Sequence, residues 1–488
     1  MESFKLYIDG QFDIGAATFT SLNPATAEPW ANIAEARREQ TDRAVQAAAR
    51  AFKSEAWGGL TASARGKLLL KLADLIERDA PKLARIETLD TGKIIRETEA
   101  QIAYVAEYYR FYAGLADKMD GTTLSIDKPD METWIKREPV GVVAAIIPWN
   151  SQLFLSAVKI GPAIAAGCTV VVKAAEVAPT PLLAFAELVH EAGFPAGVIN
   201  VITGFAEHCG TVLTQHAMVD HIAFTGGADT ARHIVRNSAH NLASTSLELG
   251  GKSPFIVFAD ADLESAANAQ VAAIFSASGQ SCVAGSRLLV DERIKDIFIE
   301  KLTSKVRGIV IGCPQQQATQ FGPLCTERQK SNIEQVVSRS IEQGARLVIG
   351  NQPIDRSGFY YPPTILDCSA VPNAESAVQE LFGPVLSVLT FKDEAEAVSL
   401  ANGTEYGLAA GVFTQNLTRA HRVTRKLRSG VVWLNTYRVV SPLAPFGGYG
   451  KSGFGREGGI DAALEYTTTK TVWLRTSDEP ISDPFIMR

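Results

Sequence analysis

The sequence predicts an α/β protein built on a parallel, doubly wound sheet, and three observations carry that prediction. Between Gly141 and Gly251 short apolar runs alternate with helical stretches, the pattern that successive strand–helix–strand units produce. The run from Val142 to Ile147 is apolar at every position, as a strand covered on both faces is. The chain has 488 residues, more than one core accommodates, so two or three domains are expected.

Taken in order, residues 41–119 read as helices, with Thr41 as an N-cap and Leu68, Leu69, Leu72, Leu75 and Ile76 at helical spacing. Residues 121–140 alternate instead, as in Thr133-Trp134-Ile135-Lys136-Arg137, and predict a two-stranded excursion. After the strand at 142–147 come a helix ending at Ala166 and a strand at 169–173. Leu182, Phe185, Ala186 and Val189 mark one face of a helix over 180–192, which Gly193 and Pro195 stop. Strands follow at 198–202, 221–225 and 246–249. The α/β alternation then resumes to about residue 430, and 467–474 is a last β-like run before a polar tail.

The composition is 46% hydrophobic and 20% charged, with a formal charge of −6. That balance gives no reason to expect a nucleic-acid partner, which usually requires a basic face. The first residues lack the apolar core of a signal peptide. The longest apolar stretch, Val140 to Trp149, has half the length a membrane helix needs. A cytoplasmic protein without a membrane partner is expected. Six cysteines without a CxxC pair suit neither a disulfide scaffold nor a zinc site, so no metal is expected. The glycosylation sequons at Asn402 and Asn416 are then chance matches.

Two residues carry the chemistry. Cys282 follows Gly279-Gln280-Ser281 in a turn-like run flanked by small residues, and a thiolate there can attack a carbonyl carbon. Glu248 stands in Leu247-Glu248-Leu249-Gly250-Gly251-Lys252, where a strand ends in a buried bend. Burial raises a carboxylate's pKa toward the range of a useful base. The other cysteines, Cys168, Cys209, Cys313, Cys325 and Cys368, have no such setting and are assigned to packing. Both runs resemble the signatures of the NAD(P)-dependent aldehyde dehydrogenases, and further matches extend from about Asn23 to Val472.

The resemblance implies an aldehyde dehydrogenase-like fold: a Rossmann-like cofactor domain, an α/β catalytic domain and a small β oligomerisation element. On this chain these fall at 1–119 with 141–251, at 252–450, and at 120–140 with 467–488. A homodimer or homotetramer is implied, its last strand adding to a neighbour's sheet. In Ile146-Ile147-Pro148-Trp149-Asn150, Asn150 matches the amide that holds the oxyanion together with the cysteine's own N–H, and Ile146, Pro148 and Trp149 flank the cofactor. Val171-Val172-Lys173-Ala174-Ala175-Glu176 resembles the adenosine-ribose segment, with Lys173 and Glu176 as ligands, although the family usually has proline at 174. A carboxylate at 176 favours NAD over NADP, since it repels a 2′-phosphate; NADP use stays open. Gly226 and Gly227 end a strand and open a helix, where backbone N–H groups can meet a pyrophosphate. Leu249, Glu380 and Phe382 match the nicotinamide side of the site.

Gly448-Tyr449-Gly450-Lys451-Ser452-Gly453 matches GxGxxG but no strand leads into it, and Pro445 breaks the P-loop pattern. This stretch resembles the family's late glycine-rich segment, and Asn435 a position that braces the site. The resemblance also implies a pocket drawn from Ser151, Leu155, Val158, Ser281, Val283, Arg438, Val440 and Phe446. Members that favour simple aliphatic aldehydes often carry aromatic residues at 151 and 158. Ser151 and Val158 make this pocket wider and more polar, and Arg438 either brings a cation to its mouth or turns to solvent.

The implied reaction is oxidation of an aldehyde to its acid through a thiohemiacetal and a thioester on Cys282, with water as acyl acceptor. The expected substrate is hydroxylated or ω-carboxylated, a semialdehyde for example. A general aromatic or aliphatic aldehyde dehydrogenase and a coenzyme A-acylating semialdehyde dehydrogenase are the alternatives; the latter would not need Glu248. Betaine aldehyde is disfavoured because those pocket positions hardly supply an aromatic cage.

Overall fold

The computed structural model describes residues 1–486. An eight-stranded sheet runs in the order Gly453–Phe454, Ser244–Leu249, His221–Gly226, Val142–Ile147, Thr169–Ala174, Ile199–Thr203, Leu6–Ile8 and Gln11–Asp13. Its five middle strands are parallel, and the three outer strands pair antiparallel. Val142–Ile147 is buried except at Ile146. It lies between strands that follow it in both directions of the winding, which makes it the switch point where open α/β sheets bind ligands.

A second sheet of seven strands is ordered Arg346–Ile349, Thr364–Asp367, Val385–Phe391, Arg287–Asp291, Pro254–Val257, Ala409–Phe413 and Val431–Leu434. All its pairings are parallel except the one between Arg346–Ile349 and Thr364–Asp367. Side chains alternate across it: Phe255, Val257, Leu288 and Val290 enter one core, and Ile256 and Leu289 enter the other. A third sheet pairs Met131–Pro139 with both Thr122–Leu124 and Thr467–Arg475, all antiparallel. No helix among the described residues is long and apolar enough to cross a membrane.

The helices Gln152–Ala166 and Thr180–Ala192 end at Gly167 and Gly193, both left-handed, so the glycines act as stops. Thr41 is not a cap. The helix starts at Arg38, and the Thr41 hydroxyl donates back to the Arg37 carbonyl at 2.8 Å, a competing local bond open to threonine within a helix. Five strands precede residue 36, three of only three residues and two of seven and eight, in a stretch where the sequence had predicted no element. Cys168, Cys209, Cys325 and Cys368 are buried, but Cys313 is only half-buried. Residues 487 and 488, at the end of the expected oligomerisation element, lie outside the described residues.

His221 gives this core an acid sensitivity. Its ring nitrogens meet Ser244 Oγ at 2.8 Å and Ser246 Oγ at 3.1 Å, and burial, then Lys159, pushes its pKa down to about 4. An unfolded histidine protonates near pH 6.5, whereas this one stays neutral until about pH 4. Its stabilisation is therefore complete above pH 6.5 and is lost as the pH falls toward 4. The stability difference between wild type and His221→Gln, from urea midpoints, is expected to change by about 2–3 kcal/mol between pH 7.5 and 4.5 in favour of the variant. A difference independent of pH would refute this.

Candidate active site

The cysteine loop is the most constrained turn in the chain. Ala277, Ser278 and Gly279 all adopt positive φ, at 51°, 53° and 75°, a costly conformation for the two non-glycine residues. Long-range contacts hold it. The Ala277 N–H donates to Glu97 Oε1 at 2.9 Å, Ser278 Oγ to the Gly322 carbonyl at 2.9 Å, and the Cys325 N–H to Gln280 Oε1 at 2.9 Å. A Cβ at Gly279 would stand 2.3 Å from the Gly383 carbonyl carbon, so only glycine lets the loop lie against Gly383-Pro384.

Asn150 follows the switch-point strand, and its Nδ2 donates to the Gln280 carbonyl at 3.1 Å. This bond sets the amide two residues from Cys282. Among the described residues, the Cys282 N–H donates to no other group. Both border a cavity of about 540 Å³, lined also by Ser151, Leu155, Val158, Ser281, Val283, Arg438, Val440 and Phe446. All eight expected pocket positions thus share one space. Arg438 lines it while its Nη1 donates to the Ala272 carbonyl at 3.2 Å.

Glu248 lies behind the cavity wall, 4% exposed, and neither carboxylate oxygen has a hydrogen-bond partner. Burial first, and then the charge of Glu457, raises its pKa well above the ordinary carboxylate range. Glu457 lines the cavity and pairs with the buried Lys159 ammonium. Burial and the carboxylates Glu380, Glu248 and Glu457 push the Cys282 thiol up to about 12, against the pull of Arg438. The resting sulfur is therefore a thiol, flanked by a carboxyl group whose basicity is raised.

The expected cofactor residues fall along the same edge. Lys173 is the penultimate residue of the parallel strand Thr169–Ala174, Glu176 lies just past its end, and the two pair at 3.2 Å. Gly226 ends the strand His221–Gly226, on the far side of Val142–Ile147, and Gly227 caps the helix Ala228–Ser238 beside open space. Leu249 ends the strand that carries Glu248. Glu380 accepts from the Gly251 N–H at 3.0 Å. Its Oε2 sits 1.8 Å from where a Cβ on Gly250 would stand, so a side chain there would have to push the Glu380 carboxylate aside. Burial raises Glu380 to about 7. Phe382 meets Trp149 edge to face at 5.4 Å, Ile146 is the half-buried residue of the strand Val142–Ile147, and Pro148 joins that strand to the tryptophan. Paired polar side chains, a bare helix N-terminus, a buried carboxylate and an aromatic floor fit a dinucleotide.

Asn435 is exposed and bonds Thr414 at both ends of its amide, tying together the ends of the strands Ala409–Phe413 and Val431–Leu434. One expectation changes. Aromatic surface is not scarce, because Tyr104, Tyr108, Phe154 and Trp433 also line the space. Lys93, Glu97 and Gln101 line it too; the spacing of Glu97, Gln101, Tyr104 and Tyr108 on the helix Ile95–Leu115 was the available signal.

Comparison with known proteins places this geometry. The model of the aldehyde dehydrogenase family matches residues 13–472. A (Z)-2-((N-methylformamido)methylene)-5-hydroxybutyrolactone dehydrogenase of Acinetobacter baylyi is 69% identical over all of both chains. Betaine aldehyde dehydrogenase of Bacillus subtilis is 41% identical over 98% of this chain and 99% of its own. Among solved structures, a betaine aldehyde dehydrogenase of Staphylococcus aureus in complex with NAD+ superposes with a TM-score of 0.97 at 38% identity, covering 100% of this chain and 97% of its own. The chain belongs to the aldehyde dehydrogenase family.

Proposed function

We propose that this enzyme oxidises the aldehyde of a 4-oxobutanoate-type semialdehyde to a dicarboxylate, with NAD as hydride acceptor and water as acyl acceptor. The observation that carries it is the meeting of Cys282 and Asn150 at one cavity, with Glu248 behind its wall. The substrate class draws on the 69% identical relative, whose name specifies a 5-hydroxybutyrolactone. Such a lactone is the ring form of a 4-oxobutanoic acid, and opening it frees an aldehyde and a carboxylate. Cysteine attack needs that free carbonyl, so the open form is the one that reacts. Arg438 puts positive charge on the cavity wall, and the aromatic rings suit a flat conjugated substituent.

Cys282 gives up its thiol proton to solvent, and the thiolate sulfur adds to the aldehyde carbon. The new alkoxide is held by Asn150 Nδ2 and the Cys282 N–H, two donors of the kind worth about 3–4 kcal/mol each. NAD, held by Lys173, Glu176, the Gly226-Gly227 backbone and Glu380, supplies the hydride acceptor. The thioester left on Cys282 is then hydrolysed. Glu248, once ionised, takes a proton from water, hydroxide attacks, and the acid leaves as the thiolate is reprotonated. Nothing hydrogen-bonds the Glu248 oxygens, so no hydrogen bond has to break for the side chain to turn toward the cavity. Glu176 favours NAD by repelling a 2′-phosphate. The edge of Thr467–Arg475 that faces away from Met131–Pro139 has no partner among the described residues, and Trp473 and Leu474 are exposed; strand addition between copies, giving a homodimer or homotetramer, covers such an edge.

A second reading, betaine aldehyde oxidation, is favoured by the aromatic rings and by the relatives of that name. An aldehyde panel followed at 340 nm separates the two. 4-Oxobutanoate and its substituted forms are expected to give higher kcat/KM than betaine aldehyde or butanal, and Cys282→Ala to abolish turnover on all of them. Higher kcat/KM on betaine aldehyde would favour the second reading.

The base role predicts a pH profile. Glu248 must be ionised to activate water, and its pKa is raised, so kcat should rise with pH along a limb well above pH 4.5. Glu457→Gln removes a repelling negative charge, lowers the Glu248 pKa and moves that limb to lower pH. Glu248→Gln should keep one turnover of NADH formation while steady-state kcat falls about 10²–10⁴-fold. A limb unmoved by Glu457→Gln, or unchanged turnover in Glu248→Gln, would overturn the assignment.

A further inference from the structure

Ser151 stands where a serine usually caps a helix, immediately before Gln152–Ala166, yet its hydroxyl accepts from no N–H of the first turn. Its two lone pairs are taken from outside. Lys93 Nζ donates to Ser151 Oγ at 3.1 Å, and Gln101 Nε2 donates to the same oxygen at 3.3 Å. Neither donor can reverse. An ammonium only donates, and Gln101 Oε1 already accepts from Lys93 Nζ at 2.5 Å, which fixes the direction of the amide. Lys93 is in turn anchored by Glu87 Oε1 at 2.7 Å, both side chains being buried. A hydroxyl offers two acceptor sites and one proton. With both acceptor sites filled, only the O–H of Ser151 remains, and among the described residues it has no acceptor. Lys93, Gln101 and Ser151 all line the cavity that holds Cys282.

We infer that Lys93 and Gln101 are positioning residues that make Ser151 a pure hydrogen-bond donor, which selects substrates presenting an acceptor oxygen, the free carboxylate of the semialdehyde. This rests on the functional reading above and specifies how its carboxylate is recognised. The arrangement rejects a donor-only group such as an ammonium, which would meet an O–H it cannot bond and a cation behind it. It also accounts for a buried ion pair beside a pocket whose walls are otherwise largely apolar and aromatic: the Glu87–Lys93 pair holds the donor that polarises the serine.

The test measures kcat/KM of the full-length enzyme with 4-oxobutanoate, butanal and 3-aminopropanal. In Ser151→Ala the 4-oxobutanoate-to-butanal ratio is expected to fall about tenfold, through KM, and Ser151→Thr, which keeps the hydroxyl, to restore most of it. Gln101→Leu frees one lone pair of Ser151, so the 4-oxobutanoate ratio should fall while the 3-aminopropanal-to-butanal ratio rises. A merely structural role would depress all three substrates together. Lys93→Met strands the Glu87 carboxylate and is at risk of misfolding, so Gln101→Leu is the deciding variant. Wild type that oxidises butanal but not 4-oxobutanoate overturns the functional reading. Wild type that favours 4-oxobutanoate, with ratios unmoved by Ser151→Ala and Gln101→Leu, overturns this inference alone.

Discussion

The left-handed run Ala277–Gly279 is the constraint on which the active site depends. Two non-glycine residues at positive φ persist only where the surroundings over-determine them. Here the surroundings come from every side. Glu97 belongs to the helical layer of the first sheet, Gly322 and Cys325 to the segment leading into the helix Glu327–Glu342, and Gly383 to the turn that bears Glu380 and Phe382. One loop therefore joins the oxyanion amide, the sulfur and the nicotinamide-side residues. Asn150 is tied into the same loop through Gln280, so the geometry of attack is a property of the two sheets together.

The electrostatics of the site are organised around withheld charge. Three carboxylates raise the thiol, and burial raises two of those carboxylates in turn. A cysteine in this state is a weak nucleophile at rest and is protected from oxidation, which follows thiolate character. A bound NAD+ would bring the positive charge of its nicotinamide toward this site and would favour the thiolate. The unpaired Glu248 belongs to the same logic. Leaving a buried carboxyl without partners costs about 1–3 kcal/mol or more, and the family's late glycine-rich segment, packed beside Glu248 at Gly447, keeps it that way.

Much of this was legible in the sequence where the signal is local. The helix over 180–192 was read to the residue because four apolar positions and a left-handed glycine mark it. The parallel strands were read to within two residues because burial on both faces makes them uniformly apolar. The strands before residue 36 were not: three of the five have only three residues, too few to show a period, and Leu6–Ile8 joins its sheet through the remote strand Ile199–Thr203. The alignment of Ser151, Val158, Arg438 and Phe446 along one cavity came through resemblance, not through any pattern in their spacing. Lys93 and Gln101 escaped altogether. Their meaning lies in bonds to a residue fifty or more positions away, and a lysine in Thr91-Gly92-Lys93 reads as a solvated charge until the fold buries it.

A buried ion pair is weak evidence of stabilisation, because desolvation offsets most of the attraction and well-packed apolar residues do as well. Lys93 and Glu87 are 4% and 0% exposed at their side chains, and Glu87 Oε2 remains without a partner. The pair is thus poorly explained as a device for folding. It is better explained by what it imposes on its neighbours, since an ammonium gives hydrogen bonds in several directions and accepts none. Placed beneath a serine and a glutamine, it sets the polarity of both. The cavity wall then distinguishes an oxygen that accepts from a nitrogen that donates before any chemistry begins, and a flexible surface lysine reaching in from solvent would not hold that distinction.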